Sequence, residues 1–293
     1  MNRDEFKQVV KIAREKKFLQ PYELAYKVFN QLGYDKKSPD FFESSASKVV
    51  EEMRNACWNE FVSEEKVFTS DMLRELIDED KIKNLSPVDA VSSFVTDYPE
   101  HIYDLSLSNT QSRRSRAGKE FEAIIELILI GADIPLDSQG NIGKKLFTDK
   151  GLGKLVDVVS PGVMEYLIDK NDTVLISAKT TLRERWQEVP EEVSRTGANS
   201  MYLITLDDSV SQNVLDELYE ANVILTTIES VKEKSYKDNK RVMTFEQLIK
   251  KCKDVKEDWV VKEQGLNEGD PRPELTREFS EEVGMRSEER RVG

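Results

Sequence analysis

Lys179-Thr-Thr-Leu-Arg183-Glu184-Arg185-Trp186 follows directly on the apolar run Thr173-Val-Leu-Ile-Ser-Ala178. A short run rich in Val, Leu and Ile reads as a buried strand, which puts Lys179 at its exit. Just beyond, two guanidiniums flank one carboxylate. Arginine donates to both O6 and N7 of guanine, and a carboxylate accepts from cytosine N4. The triplet Arg183, Glu184 and Arg185 therefore holds the groups needed to read G·C pairs in a major groove. Taken alone, such a triplet is usually a solvated surface turn, so its neighbours decide how it is read.

Upstream, Gly151-Leu-Gly-Lys-Leu-Val-Asp157-Val-Val-Ser160 sets a carboxylate inside a second strand-like run. An acid there is costly unless it binds a cation or finds a partner. Downstream, a helix starts near Pro190, whose ring suits a first helical turn, and Glu192 opens it. Glu188 and Glu191 compete with Glu192 for the same role. Two hard oxygen ligands, Asp157 and Glu192, suit Mg2+, which keeps several waters and takes phosphate oxygens as further ligands. An ammonium at Lys179 would orient and activate one of those waters.

The pattern Asp157, Ser177-Ala-Lys179, Arg183-Glu184-Arg185 and Glu192 resembles the PD-(D/E)XK restriction endonucleases. Within them it is similar to the SsoII-like enzymes that recognise CCNGG, related to the NgoMIV and EcoRII branch. The similarity extends upstream through Gln111-Ser-Arg-Arg-Ser-Arg-Ala-Gly-Lys-Glu-Phe-Glu122 and reaches Arg54-Asn-Ala-Cys-Trp58. It is strong from roughly residue 50 to 200. In this branch the second metal-binding carboxylate has moved from the lysine strand to the following helix, which fits Ala178 at the usual acidic position and Glu192 downstream. Val156, not proline, precedes Asp157.

The resemblance implies an α/β fold with a central mixed sheet flanked by helices. It implies a Type II site-specific deoxyribonuclease that uses Mg2+ and leaves 5′-phosphate ends. Asp157 and Glu192 would hold the metal, Lys179 would serve the attacking water, and Glu122 would be an outer acid near the metal. Without the resemblance, Glu122 is as well read as a surface acid paired with Lys119. Arg183, Glu184 and Arg185 would read the CC/GG half-site, and Gln111 the C·G pair nearer its middle. Trp58, with Arg54 close by, would stack on an extruded central nucleotide. On composition alone Trp58 is a core residue. Extrusion costs unstacking and unpairing energy, which the stacking partly offsets. A homodimer would match a palindromic site, since operator symmetry mirrors protein symmetry. A cognate DNA methyltransferase would be its functional partner. Two other readings stay open: a structure-specific repair or recombination nuclease of the same superfamily, and a non-catalytic DNA-binding protein on the same scaffold.

Composition agrees with a soluble bacterial enzyme of the cytoplasm. At 293 residues the chain can bury a sizeable core. No apolar segment is long enough to span a bilayer, and the first residues lack the apolar core of a signal peptide. Cys57 and Cys252 are the only cysteines, so no disulfide framework is indicated. His101 is the sole histidine, which excludes a His-rich zinc cluster. The formal net charge of −13 counts against a general nucleic-acid binder. Phosphate binding would then rely on segregated basic stretches: Arg113, Arg114, Arg116 and Lys119, then Lys144, Lys145, Lys150 and Lys154 before Asp157.

Three regions are expected. Residues 1–105 form a helical N-terminal region contributing DNA contacts, with helices over Asp4–Lys17, Pro21–Leu32 and Ser45–Glu60. Residues 106–232 form the catalytic core. It opens with a helix from Arg113 to Ile130 closed by Gly131 as a C-cap. Strands follow at 155–160, 163–168 and 173–179, then a helix, a strand from Met201, a helix over Val210–Glu220, and a strand from Val223. Residues 233–293 hold a helix over Phe245–Lys253 and a charged, flexible tail from about Gly265. Its last residues, 286–293, read as translated adapter sequence.

Overall fold

The strand that carries Lys179 is the third of six in one mixed sheet, in a computed structural model that describes residues 1–183 and 185–264, the side chains of Arg185, Glu263 and Gln264 excepted. The tail reading from Gly265 and Glu184 of the triplet lie outside the described residues. The chain opens with α1 (Arg3–Lys17), α2 (Pro21–Gln31), α3 (Pro39–Arg74), α4 (Glu79–Ile82), α5 (Pro87–Asp97) and α6 (Pro99–Gly131). The sheet follows: β1 (Asp137–Ser138), α7 (Lys144–Asp149), β2 (Val158–Ser160), α8 (Val163–Ile168), β3 (Val174–Lys179), α9 (Glu188–Thr196), β4 (Met201–Thr205), α10 (Gln212–Glu220), β5 (Val223–Thr227), α11 (Glu229–Ser235), β6 (Met243–Thr244) and α12 (Phe245–Gln264).

Strand order is β1-β2-β3-β4-β5-β6. β2 pairs antiparallel with both β1 and β3, and β3 through β6 run parallel. Alternating residues divide two cores, as the two-residue strand period requires. Val174, Ile176 and Ala178 face α3, α6 and α12, whereas Leu175, Met201 and Leu203 face α8, α9 and α10. Both faces are covered, which explains why β3 reads as a continuous apolar run.

Several expected elements need correction. The segment 163–168 is helix α8, not a strand. A six-residue apolar run carries no periodicity that separates the two. Asp137 accepts the Val163 amide at 2.8 Å and so satisfies the first donor of the helix. The third strand before α9 is instead β1, two residues long. The basic helix begins at Pro99, not Arg113, so α6 runs through the boundary expected near residue 105. Gly131 is the last residue of that helix and not a left-handed cap; Asp133, at φ 59°, takes the left-handed position. Glycine is needed at 131 for approach: a Cβ there would lie 2.6 Å from the Phe42 ring. The helix expected to start at Ser45 starts at Pro39 and bends at Ser45, whose φ is −139°.

The C-terminal helix ties the layers together. Glu246 accepts the amide and hydroxyl of Ser47 in α3 at 2.7 and 2.8 Å. The indole of Trp259 donates to the Asp172 carbonyl at 2.6 Å. Among the described residues, no helix is long and apolar enough to cross a membrane.

Candidate active site and nucleic-acid interface

Asp157 stands one residue before β2, but its amide donates to the Ile176 carbonyl at 2.8 Å and so continues the antiparallel ladder. That pairing aims its carboxylate at the end of β3. Oδ2 accepts the Ala178 amide at 2.7 Å and the Lys179 ammonium at 3.1 Å. Burial pushes the Asp157 carboxyl up; Lys179 and the Ala178 amide oppose it.

Two further acids close on this pair from α6. Burial, then the nearby Asp157 charge, raises Glu122 to about 7, with Lys179 acting the other way. Glu126, one helical turn on, is also raised to about 7, by burial first and by Asp157 as well, against a hydrogen bond from Ser138. Sequence reading missed Glu126. Its signal was present: Glu122 and Glu126 share one helix face in an otherwise apolar stretch, Phe121 to Ile130.

Of the three acids at the start of α9, Glu188 and Glu191 are exposed, whereas Glu192 is 4% exposed. The Glu192 Oε1 accepts the amides of Lys154 and Leu155, the latter at 3.1 Å. Its Oε2 lies 3.3 Å from the Arg195 guanidinium. These bonds fasten α9 to the loop leading into Asp157. Gly153, at φ +76°, is required there because a Cβ would overlap the Glu192 carboxylate.

The segment expected to read bases leaves β3 directly. Arg183 is exposed and takes a left-handed backbone, φ 43°. Arg185 opens a short 3-10 turn before α9. The amide of Leu182 is held at 3.1 Å by Asp207, in the loop after β4. No sequence signal marked Asp207.

Trp58 and Arg54 share one face of α3, one turn apart. Trp58 is not a core residue: it is 45% exposed. Together with Glu120, Phe121 and Ile124 of α6 the two line a cleft of about 330 Å³. The Arg113 guanidinium lies 5.9 Å from the Trp58 ring centroid. Gln111 is exposed on α6 and lines a different cavity, between α6 and α1.

The first basic stretch is less available than the sequence suggests. Arg113 is bound to Glu65, which is 2% exposed, through its Nε at 2.6 Å. Arg116 is bound to Glu120 at 3.1 Å and to the Leu19 carbonyl at 2.9 Å. Two of the four cations thus balance buried acids of the helical layer. His101 packs between the rings of Phe6 and Tyr98, each 5.3 Å away.

Comparison with known proteins places the chain in a family. The sequence model described as EcoRII C terminal matches residues 74–249. The Type II restriction enzyme SsoII of Shigella sonnei is 54% identical over 255 residues, covering 87% of this chain and 84% of that protein. Metal-depleted Ecl18kI in complex with uncleaved, modified DNA superposes with a TM-score of 0.86 at 50% identity, over 94% of this chain and 90% of its own. The PspGI restriction endonuclease–substrate DNA complex, at 15% identity and a TM-score of 0.58 over 81% of this chain and 93% of its own, shares the fold. The match to the family model over residues 74–249 and the 54% identity to SsoII over most of both chains show that the chain belongs to the EcoRII C-terminal family, as a sequence-specific Type II restriction endonuclease closely similar to SsoII.

Proposed function

We propose that this chain hydrolyses double-stranded DNA at a CCNGG-type site, with Mg2+, as a homodimer that extrudes the central nucleotides. The observation that supports this most is the Asp157–Lys179 pair, with Glu192 buried beside the loop that leads into it. Relatives of this kind use a divalent metal. The donor set fits a hard cation. Among the described residues, both hydrogen bonds to the Asp157 carboxylate fall on Oδ2, and Glu192 is the one buried acid at the start of α9. Among the described residues, no three acids already converge on one point.

Asp157 and Glu192 would hold the ion, which supplies positive charge at the scissile phosphate. Lys179, fixed by Asp157, keeps an ammonium at the strand end, where it orients the attacking water and stabilises charge developing on phosphorus oxygens. Water oxygen bonds to phosphorus as the P–O3′ bond breaks; the water gives up a proton and the departing 3′ oxygen takes one from solvent, leaving a 3′-hydroxyl and a 5′-phosphate. Glu122 and Glu126, both raised chiefly by burial, stand behind the pair.

Recognition falls to Arg183, Glu184 and Arg185 at the G·C pairs and to Gln111 nearer the middle of the site. The exposed face of Trp58 and the adjoining Arg54 cleft suit an extruded base. Burial lowers the Arg54 pKa, with Glu120 opposing; the two charges balance within the cleft. The N-terminal helical layer up to about residue 105 would add DNA contacts through α3. A C2 dimer reads both half-sites. A cognate methyltransferase would protect the same site in a bacterial cytoplasm.

Plasmid DNA with Mg2+ tests this reading. Discrete fragments mapping to CCNGG are expected. Nicking that follows DNA structure would favour a repair or recombination nuclease. No cleavage, with binding retained, would favour a non-catalytic binder.

A further inference from the structure

Arg183 keeps a backbone conformation that non-glycine residues seldom adopt. Such a conformation persists when the surroundings hold it in place. The holding group here is Asp207. Lys179 pairs with Thr205 in the parallel ladder of β3 and β4, so the loops leaving the two strands run side by side. Oδ2 of Asp207 accepts the Leu182 amide at 3.1 Å, and the Arg183 amide also bonds to this carboxylate. Oδ1 accepts the amide and hydroxyl of Ser209 at 3.1 and 2.7 Å. Behind it, the buried Tyr236 donates its hydroxyl to the Asp207 carbonyl at 2.8 Å and accepts the Val210 amide at 3.0 Å. Leu182 itself is 2% exposed and anchors in the core. Burial works to raise the Asp207 carboxyl, yet the bonds from Ser209, Leu182 and Arg183 outweigh it and hold it below the ordinary range.

We propose that Asp207 is a positioning residue for sequence recognition: its carboxylate fixes the backbone from which Arg183 reaches guanine. The proposal rests on the reader role given to Arg183 above. The group must accept on both sides, since amides of the recognition loop meet one oxygen and Ser209 donors meet the other. Asparagine would turn its NH2 toward donors on one side. Asp207 thereby links the β4 loop, which need not touch DNA, to base readout.

The test is competition binding of the full chain, with Ca2+ in place of Mg2+, between a CCNGG duplex and a scrambled duplex. Asp207→Ala is expected to lower discrimination about tenfold, toward the low end of a lost bidentate base contact. Affinity for the scrambled duplex, and its salt dependence, should stay within about twofold of wild type, because phosphate contacts are untouched. Adding Asp207→Ala to Arg183→Ala should cause no further loss, since coupled residues are not additive. Thermal melting controls for folding, and Asp207→Asn carries the same test if the alanine variant unfolds. Wild-type discrimination by a folded Asp207 variant, additive losses in the double variant, or equal weakening on both duplexes would each overturn the proposal. If Arg183→Ala loses discrimination in those experiments, the reader assignment survives and only Asp207 is removed. If Arg183→Ala keeps it, both fall.

Discussion

The Lys179 ammonium lies 3.1 Å from the same Asp157 oxygen that accepts the Ala178 amide, so the lysine and the acid are held by one strand end. Neither is free to leave without exposing the other. Removing one member of a buried pair leaves an uncompensated charge, at a cost of about 3–5 kcal/mol.

Asp157→Ala, Lys179→Ala and Glu192→Ala should each reduce cleavage at least about a hundredfold, the scale for losing one group that stabilises developing charge. Specific DNA binding in Ca2+ should survive. Plasmid digestion with Mg2+ and gel-shift titration with Ca2+ check the two halves separately. Near wild-type cleavage by the Glu192 variant would move the ligand to Glu188 or Glu191.

Gly153→Ala should disturb both stability and cleavage. A side chain there meets the Glu192 carboxylate and must adopt φ +76°. Each effect alone outweighs the roughly 0.4–1 kcal/mol that a compatible Gly→Ala change contributes. Thermal melting should fall, and cleavage should fall further than the lost stability explains, because Glu192 shifts. A variant with wild-type melting and rate would show that the loop opens freely.

Trp58→Ala should fold with nearly unchanged stability, because the side chain is 45% exposed and surface changes usually stay within about 0.5 kcal/mol. Binding should weaken by about 1–3 kcal/mol, the scale of base–aromatic stacking. With 2-aminopurine at the central position, wild type and variant should differ in fluorescence, since indole stacking quenches and unstacking brightens. Identical signals and affinities would remove Trp58 from the mechanism.

Glu126→Gln should stabilise the metal-free protein above neutral pH. The Glu126 carboxyl rises from its ordinary 4.5 to about 7 on folding, chiefly by burial. The folded state therefore binds the proton more tightly, and stability falls as pH rises between those values. The penalty is absent below about 4.5 and complete above about 7. Glutamine keeps an acceptor for Ser138 and does not ionise. Its melting temperature should exceed that of wild type by several degrees at pH 8, reflecting about 3 kcal/mol, and the gap should nearly close at pH 5. A gap independent of pH would mean that Glu126 does not titrate in this range.

The strand that ends at Lys179, the acid-bearing run at Asp157, the helices at both ends and the chemistry these residue types share are legible in the residues alone. Those features are local: β3 is apolar throughout because both sheet faces are covered, and amphipathic spacing marks α1 and α2. The tertiary structure decided what depends on partners far along the chain. The amides before Asp157 select Glu192 at separations of 37 and 38 residues. Asp207 holds Leu182 from 25 residues away, and Glu65 withdraws Arg113 from the basic stretch across 48. The first amide of helix 163–168 is satisfied by Asp137, 26 residues back. A periodic pattern reports which face of an element is buried. It carries no information about which donor will meet a given carboxylate once the elements pack, because that pairing exists only when both have been brought together.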